Sequence, residues 1–177
     1  MMGDELAADL GQVSRALRAE YLDAREIEEE ATEHLARKEA DLVDLVLDAM
    51  QRGRPLRVRV GASQFEGSIV HVGEDVVIIE DRRGAQVDVR IDALDELWIQ
   101  APVPGSGRGR RSTVPATFAD CLEGLETTGR EVELGGPRLP PVRGRVSVAA
   151  RDHLVLDGRP SQQVIPRAAV GFVIRRR

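Results

Sequence analysis

The sequence predicts an α+β protein: an acidic N-terminal helical segment followed by two tandem five-stranded small β barrels. A repeat is the first observation behind this. The stretch from Phe65 to Ile79 recurs without a gap from Val142 to Leu156 at an offset of 77. Gly67 matches Gly144, Ile69 matches Val146, Asp75 matches Asp152, and Val77 and Ile79 match Leu154 and Leu156. A constant offset across a whole hairpin marks a duplicated structural unit. The second observation is a change of hydrophobic period, from helical to alternating, near Gly53. The third is that aromatics make up only 3% of the chain. The cores must therefore be built from Val, Leu and Ile, which suits small barrels.

Residues 4–50 read as helix. Leu6, Leu10, Val13 and Leu17 begin an apolar stripe that Tyr21, Ala24, Ile27 and Ala31 continue, and Leu35, Leu42, Leu45, Val46 and Ala49 extend it. No proline interrupts, and Gly11 is the weak point. So long a stripe must fold back as a hairpin, pair as a coiled coil, or lie on a barrel. Gly53 and Pro55 end the helix. Leu56, Val58 and Val60 then alternate with Arg57 and Arg59 as a half-buried strand. Phe65 to His71 and Val76 to Glu80 form the second and third strands, and Asp81 to Gly84 a turn. Val87, Val89 and Ile91 give the fourth strand, and Leu97-Trp98-Ile99 the fifth.

The pattern restarts after a Pro/Gly/Arg linker. Phe118, Cys121, Leu122 and Leu125 mark a short helix ended by Gly129, and Val132 and Leu134 open the second set of strands. Phe172-Val173-Ile174 closes it as the counterpart of Leu97-Trp98-Ile99. The domain boundaries follow: an acidic helical region over 1–53, a first barrel over 54–100, a linker over 101–114, and a short helix plus second barrel over 115–177.

A net charge of −5 conceals an asymmetry. Residues 1–50 hold 14 acidic against 5 basic side chains, residues 51–100 hold 9 against 7, and residues 101–177 hold 7 against 13. The basic end can meet the acidic end, another copy, or a separate anionic partner. No apolar run is long enough to span a bilayer. Asp4 and Glu5 stand where a secretory signal needs a basic start, so a cytoplasmic location is expected. Cys121 is the sole cysteine, which excludes an intrachain disulfide and points to a buried structural thiol. His34, His71 and His153 are scattered, with no His/Asp/Glu cluster at metal spacing, no phosphate loop and no nucleophile elbow. The expectation is a protein that is not an enzyme, with no catalytic residue, cofactor or metal.

Gly67, Ile69, Val72, Asp75, Val77 and Ile79, and again Gly144, Val146, Asp152, Leu154 and Leu156, fit a Gly-x-hydrophobic hairpin pattern. A short helix and five strands built around it resemble the SH3-like/Sm-like small β barrels, in particular the Sm/LSm fold that includes bacterial Hfq. The match covers 54–99 and 128–175. The whole layout also resembles an uncharacterised two-barrel group from GC-rich bacteria, sometimes given the label Fis-family transcriptional regulator. No helix-turn-helix is visible near the C-terminal end, where a Fis-type reader would carry one.

The Sm resemblance implies single-stranded RNA as ligand, bound by base stacking with an amide and an arginine in adjacent loops. Those parts are mostly missing. Val76 and His153 follow the two aspartates, and His71 and His153 sit among apolar strand residues. Arg167 falls where the resemblance implies a phosphate-facing arginine, with Asp92 as its counterpart in the first repeat. Two function classes stay open. One is a non-catalytic nucleic-acid-associated regulator, meeting RNA or DNA phosphates through Arg108, Arg110, Arg111, Arg143, Arg145, Arg167, Arg175, Arg176 and Arg177. The other is a protein-protein adaptor or scaffold, with a protein partner or self-association through the N-terminal helices.

Overall fold

The computed structural model describes residues 40–102, 117–158 and 161–176. The expectations for the helical stripe before residue 40, and for Arg108, Arg110, Arg111 and Arg177, lie outside these residues. Among the described residues the chain opens with α1 (Leu42–Gln51), whose N-terminus is held by Asp44 accepting the Asp41 backbone N–H at 3.3 Å. Its apolar face, Val46, Ala49 and Met50, is buried against the first group of strands. These are β1 (Leu56–Val60), β2 (Ser63–Val72), β3 (Val76–Glu80), β4 (Gln86–Arg90) and, after a 3-10 turn at Ile91–Ala93, β5 (Glu96–Ile99). Next comes α2 (Phe118–Thr128), in which Thr117 Oγ1 accepts the Asp120 N–H at 3.2 Å and Asp120 returns a bond to the Thr117 N–H at 2.9 Å. Gly129 ends it in the left-handed conformation, at φ 58°. The second group is β6 (Glu131–Gly135), β7 (Val142–Ala149), β8 (His153–Asp157), β9 (Gln162–Pro166), a 3-10 turn at Arg167–Ala169, and β10 (Phe172–Arg175).

The expectation of two tandem five-stranded barrels is overturned. All ten strands belong to one antiparallel sheet, in the order β5-β1-β2-β3-β4-β10-β6-β7-β8-β9. The reason is the position of β10. A strand has two hydrogen-bonding edges, and β10 gives one to β6 and the other to β4 of the first repeat. Nor do the described residues contain an extended helical segment: their two helices run 10 and 11 residues, and the described residues from Asp41 on form one compact unit.

The duplication is nonetheless written into the register. The strand order β5-β1-β2-β3-β4 repeats as β10-β6-β7-β8-β9. Leu56 pairs with Ile99 in the first half as Val132 pairs with Arg175 in the second. β2 breaks register with β3 between Ile69 and His71, and β7 breaks register with β8 between Val146 and Val148. Such a bulge sharpens the local bend.

Two apolar cores result, and the sheet is shared between them. Leu56, Val58, Val60, Ile69, Val77, Ile79, Val87 and Val89 fill the first with α1. Leu134, Val146, Leu154, Leu156 and Ile165 fill the second with Phe118, Cys121, Leu122 and Leu125 of α2. β3 serves both, which explains its unbroken burial: Val77 and Ile79 enter the first core while Val76 and Ile78 enter the second. β10 does the same, with Phe172 in the first core and Val173 in the second.

Gly67 and Gly144 sit where β2 and β7 pass from one neighbouring strand to the other. A Cβ at Gly67 would lie 2.2 Å from the Glu80 carbonyl oxygen, and at Gly144 2.6 Å from that of Asp157. Backbone cannot move aside as a side chain can. Gly67→Ala is expected to destabilise the protein by about 2 kcal/mol, within the usual range for overpacking. Thermal unfolding of Gly67→Ala beside Gly124→Ala checks this, because a Cβ at Gly124 meets nothing within 4 Å.

Candidate nucleic-acid interface

Alternation along β6 and β7 sends Val132, Leu134, Gly144 and Val146 inward, so Glu131, Glu133, Arg143 and Arg145 share the outer face. β10 adds Ile174, opposite Glu133, and Arg176 follows it. These residues line a groove of about 530 Å³ with Gly129 and Arg130 at one end. Four arginines (Arg130, Arg143, Arg145 and Arg176) thus face two glutamates there. A neighbouring hollow of about 390 Å³ shares Ile174 and Arg176 and continues to Phe65, Asp81 and Arg83.

The groove's charge is partly spent internally. Arg143 Nε donates to Glu133 Oε2 at 2.7 Å, and Arg176 reaches the same oxygen at 3.3 Å. Arg130 and Arg145 are exposed and make no ion pair among the described residues, so they are the available cations of the face.

The remaining candidate arginines lie elsewhere. Arg167 is largely buried, donating to Glu123 at 3.3 Å and to the Ala149 carbonyl at 3.2 Å. It closes the end of the second core rather than presenting a charge. Its counterpart is also not Asp92. The Arg167 N–H bonds the Asp152 carbonyl as the Ile91 N–H bonds that of Asp75, so Arg167 matches Ile91. Arg175 turns to the opposite face of β10, where it bonds the Asp88 carboxylate. The structure therefore brings together Arg143, Arg145 and Arg176 and separates Arg167 from them, while Arg175 lines an adjoining hollow with Arg130 and Arg176 but is tied to Asp88. Arg130 and the screening role of Glu133 escaped the sequence reading, although the alternation at 131/133 and 143/145 carried the signal.

Asp88 is the one fully buried charged residue among the described residues. Burial raises its pKa, and the Arg175 guanidinium pulls it back. Burial and the adjacent Asp88 charge push the Cys121 thiol up to about 12, so Cys121 is not a nucleophile. His153 Nδ1 lies 2.7 Å from Asp152 Oδ1, and this bond holds the Asp152 carboxyl below its usual range. The imidazole is thereby engaged at the surface. Phe65, which lines the neighbouring hollow, packs edge-on against Phe172 with ring centroids 4.7 Å apart. It is committed to the core rather than standing as a base-stacking platform.

Among the described residues no three His, Cys, Asp or Glu side chains converge as metal ligands. No described helix is long and apolar enough to cross a membrane. Compared with known proteins, the chain matches no protein-family model and no curated protein.

Proposed function

We propose that this is a non-catalytic, cytoplasmic, nucleic-acid-associated protein that meets phosphates through the outer face of β6 and β7. The observation that carries the reading is the groove in which Arg130, Arg143, Arg145 and Arg176 outnumber Glu131 and Glu133. Guanidinium groups suit phosphate oxygens geometrically, and contacts of this kind are insensitive to sequence. With no aromatic among its lining residues, the groove offers charge without stacking, so binding should follow backbone density rather than base identity.

Titrating the full chain with single-stranded RNA and duplex DNA at two salt concentrations tests this. Four neutralised phosphates on a single strand give a log K against log salt slope of about −3. Arg145→Gln is expected to make that slope shallower by about 0.7 and to weaken RNA of any sequence alike. A slope unchanged by Arg145→Gln, or no binding at low salt, would remove the groove as the site. Full-length protein is required, because the second core includes Val76 and Ile78 of the first repeat.

A second reading, an adaptor that binds protein, is favoured by the engagement of Arg143, Arg167, Arg175 and Arg176 with carboxylates of the same chain. It becomes the better one if neither nucleic acid binds.

A further inference from the structure

We infer that the two ends of the sheet are matching halves of one junction, and that copies of this chain associate head to tail, β9 of one against β5 of the next. The junction already exists once inside the chain, where β4 pairs with β10: Val89 lies opposite Phe172, Asp88 opposite Val173, Val87 opposite Ile174 and Gln86 opposite Arg175. By the repeat, β9 is the counterpart of β4 and β5 the counterpart of β10, both at an offset of 76. β9 and β5 are the strands left at the ends of the sheet, each with an outer edge unpaired among the described residues. An edge of this kind is a template for another strand.

Side chains around the internal junction repeat this logic. α2 spans it: Phe118, only 2% exposed, packs on Val76 and Ile78, and its N–H bonds Asp75 Oδ1 of the first repeat at 2.6 Å. The counterpart of Phe118 is Leu42 of α1, which is 38% exposed. The counterpart of Asp75 is Asp152, whose side chain is 86% exposed. Val164, 66% exposed, stands at the Asp88 position, and Trp98, 41% exposed, at the Ile174 position. Leu42, Trp98 and Val164 are three of the four exposed large apolar residues described, the fourth being Val148. Each stands at a junction position whose internal equivalent is covered or paired.

Carrying the internal register across sets Ile165 opposite Glu96, Val164 opposite Leu97, Gln163 opposite Trp98 and Gln162 opposite Ile99 of the next copy. The buried Asp88–Arg175 pair becomes an apolar Val164–Ile99 pair, a substitution that preserves complementarity. One bond is not reproduced: Arg90 donates to the Gly171 carbonyl at 2.9 Å, and its counterpart Pro166 has no N–H. Because the contact joins unlike surfaces, repetition produces a ring or an open chain rather than a twofold dimer. This inference is independent of the arginine groove.

Light scattering and sedimentation of the full chain at micromolar concentrations test it. The wild type is expected at a multiple of 19.4 kDa, and Val164→Asp or Leu42→Asp at the mass of one chain. Both positions are exposed, so circular dichroism should stay as in the wild type, while the unfolding temperature should lose the concentration dependence that assembly gives the wild type. Adding Ile99→Arg to Val164→Asp recreates the Asp88–Arg175 pairing between copies and is expected to restore the wild-type mass. A monomeric wild type overturns the proposal. So does an assembly that survives both single variants, since it would then be held by residues 1–39 or by another surface. If Val164→Asp unfolds, Gln162→Pro serves instead, since alternation along β9 turns the N–H of Gln162 to the outer edge and that of Gln163 to β8. Loss of assembly is again expected, and an assembly of wild-type mass again overturns the proposal.

Discussion

Phe172→Ala is expected to lower the unfolding free energy by about 4 kcal/mol, the range found when a buried aromatic is truncated to a methyl group. The ring belongs to the C-terminal strand yet is buried in the core of the first repeat, 4.7 Å from Phe65. Gly135 makes room for it, since a Cβ there would sit 2.3 Å from the Phe172 Cζ. Because β10 is hydrogen-bonded to both β4 and β6, the loss should be felt in both halves at once. Urea unfolding followed by Trp98 fluorescence and by far-UV circular dichroism checks this, Trp98 being the only tryptophan. Both probes are expected to report one transition in the wild type and in the variant, with the midpoint lower by roughly 2 M. Separate midpoints in the wild type would mean that the halves unfold independently.

The strands and their duplication were legible because alternation and a shared offset are local properties of the chain. Ile69, Val77, Val146 and Leu154 are buried as expected, and Gly67 and Gly144 occupy crowded bends. What local pattern could not reveal is the partner of a strand's second edge. Phe172-Val173-Ile174 reads identically whether its outer edge faces solvent or pairs with β4. One clue was present. Val76-Val77-Ile78-Ile79 is apolar without alternation, as a strand covered on both faces must be, and a barrel with a solvated exterior would not require that. Asp88 was a second clue, a charge between Val87 and Val89 whose partner lay 87 residues away. The arginine candidates fared unevenly for the same reason. A count of basic residues does not show which ones a neighbouring strand has already neutralised, as Glu133 does for Arg143 and Arg176.

The buried pair at the junction gives the second large effect. Asp88→Ala is expected to cost about 3 kcal/mol at neutral pH, because the Arg175 guanidinium is left without its carboxylate. That is the low end for breaking a buried pair, since Arg175 keeps about a third of its side-chain exposure. Replacing both members at once should cost far less. Asp88→Val with Arg175→Ile installs the residues found at the equivalent positions 164 and 99, and is expected to fall within about 1 kcal/mol of the wild type or above it. The pH dependence has a definite sign. Burial raises the Asp88 pKa above its unfolded value, so the folded state holds this proton more tightly than the unfolded chain does. Its contribution to stability is therefore fully present below the ordinary carboxylate range, about pH 4, and is lost as pH rises through the elevated folded value. Asp88→Asn removes that titration while keeping the side-chain volume. Urea midpoints from pH 4 to 7 should fall less steeply in Asp88→Asn than in the wild type. A steeper fall in the variant would show that Arg175, rather than burial, governs the carboxyl.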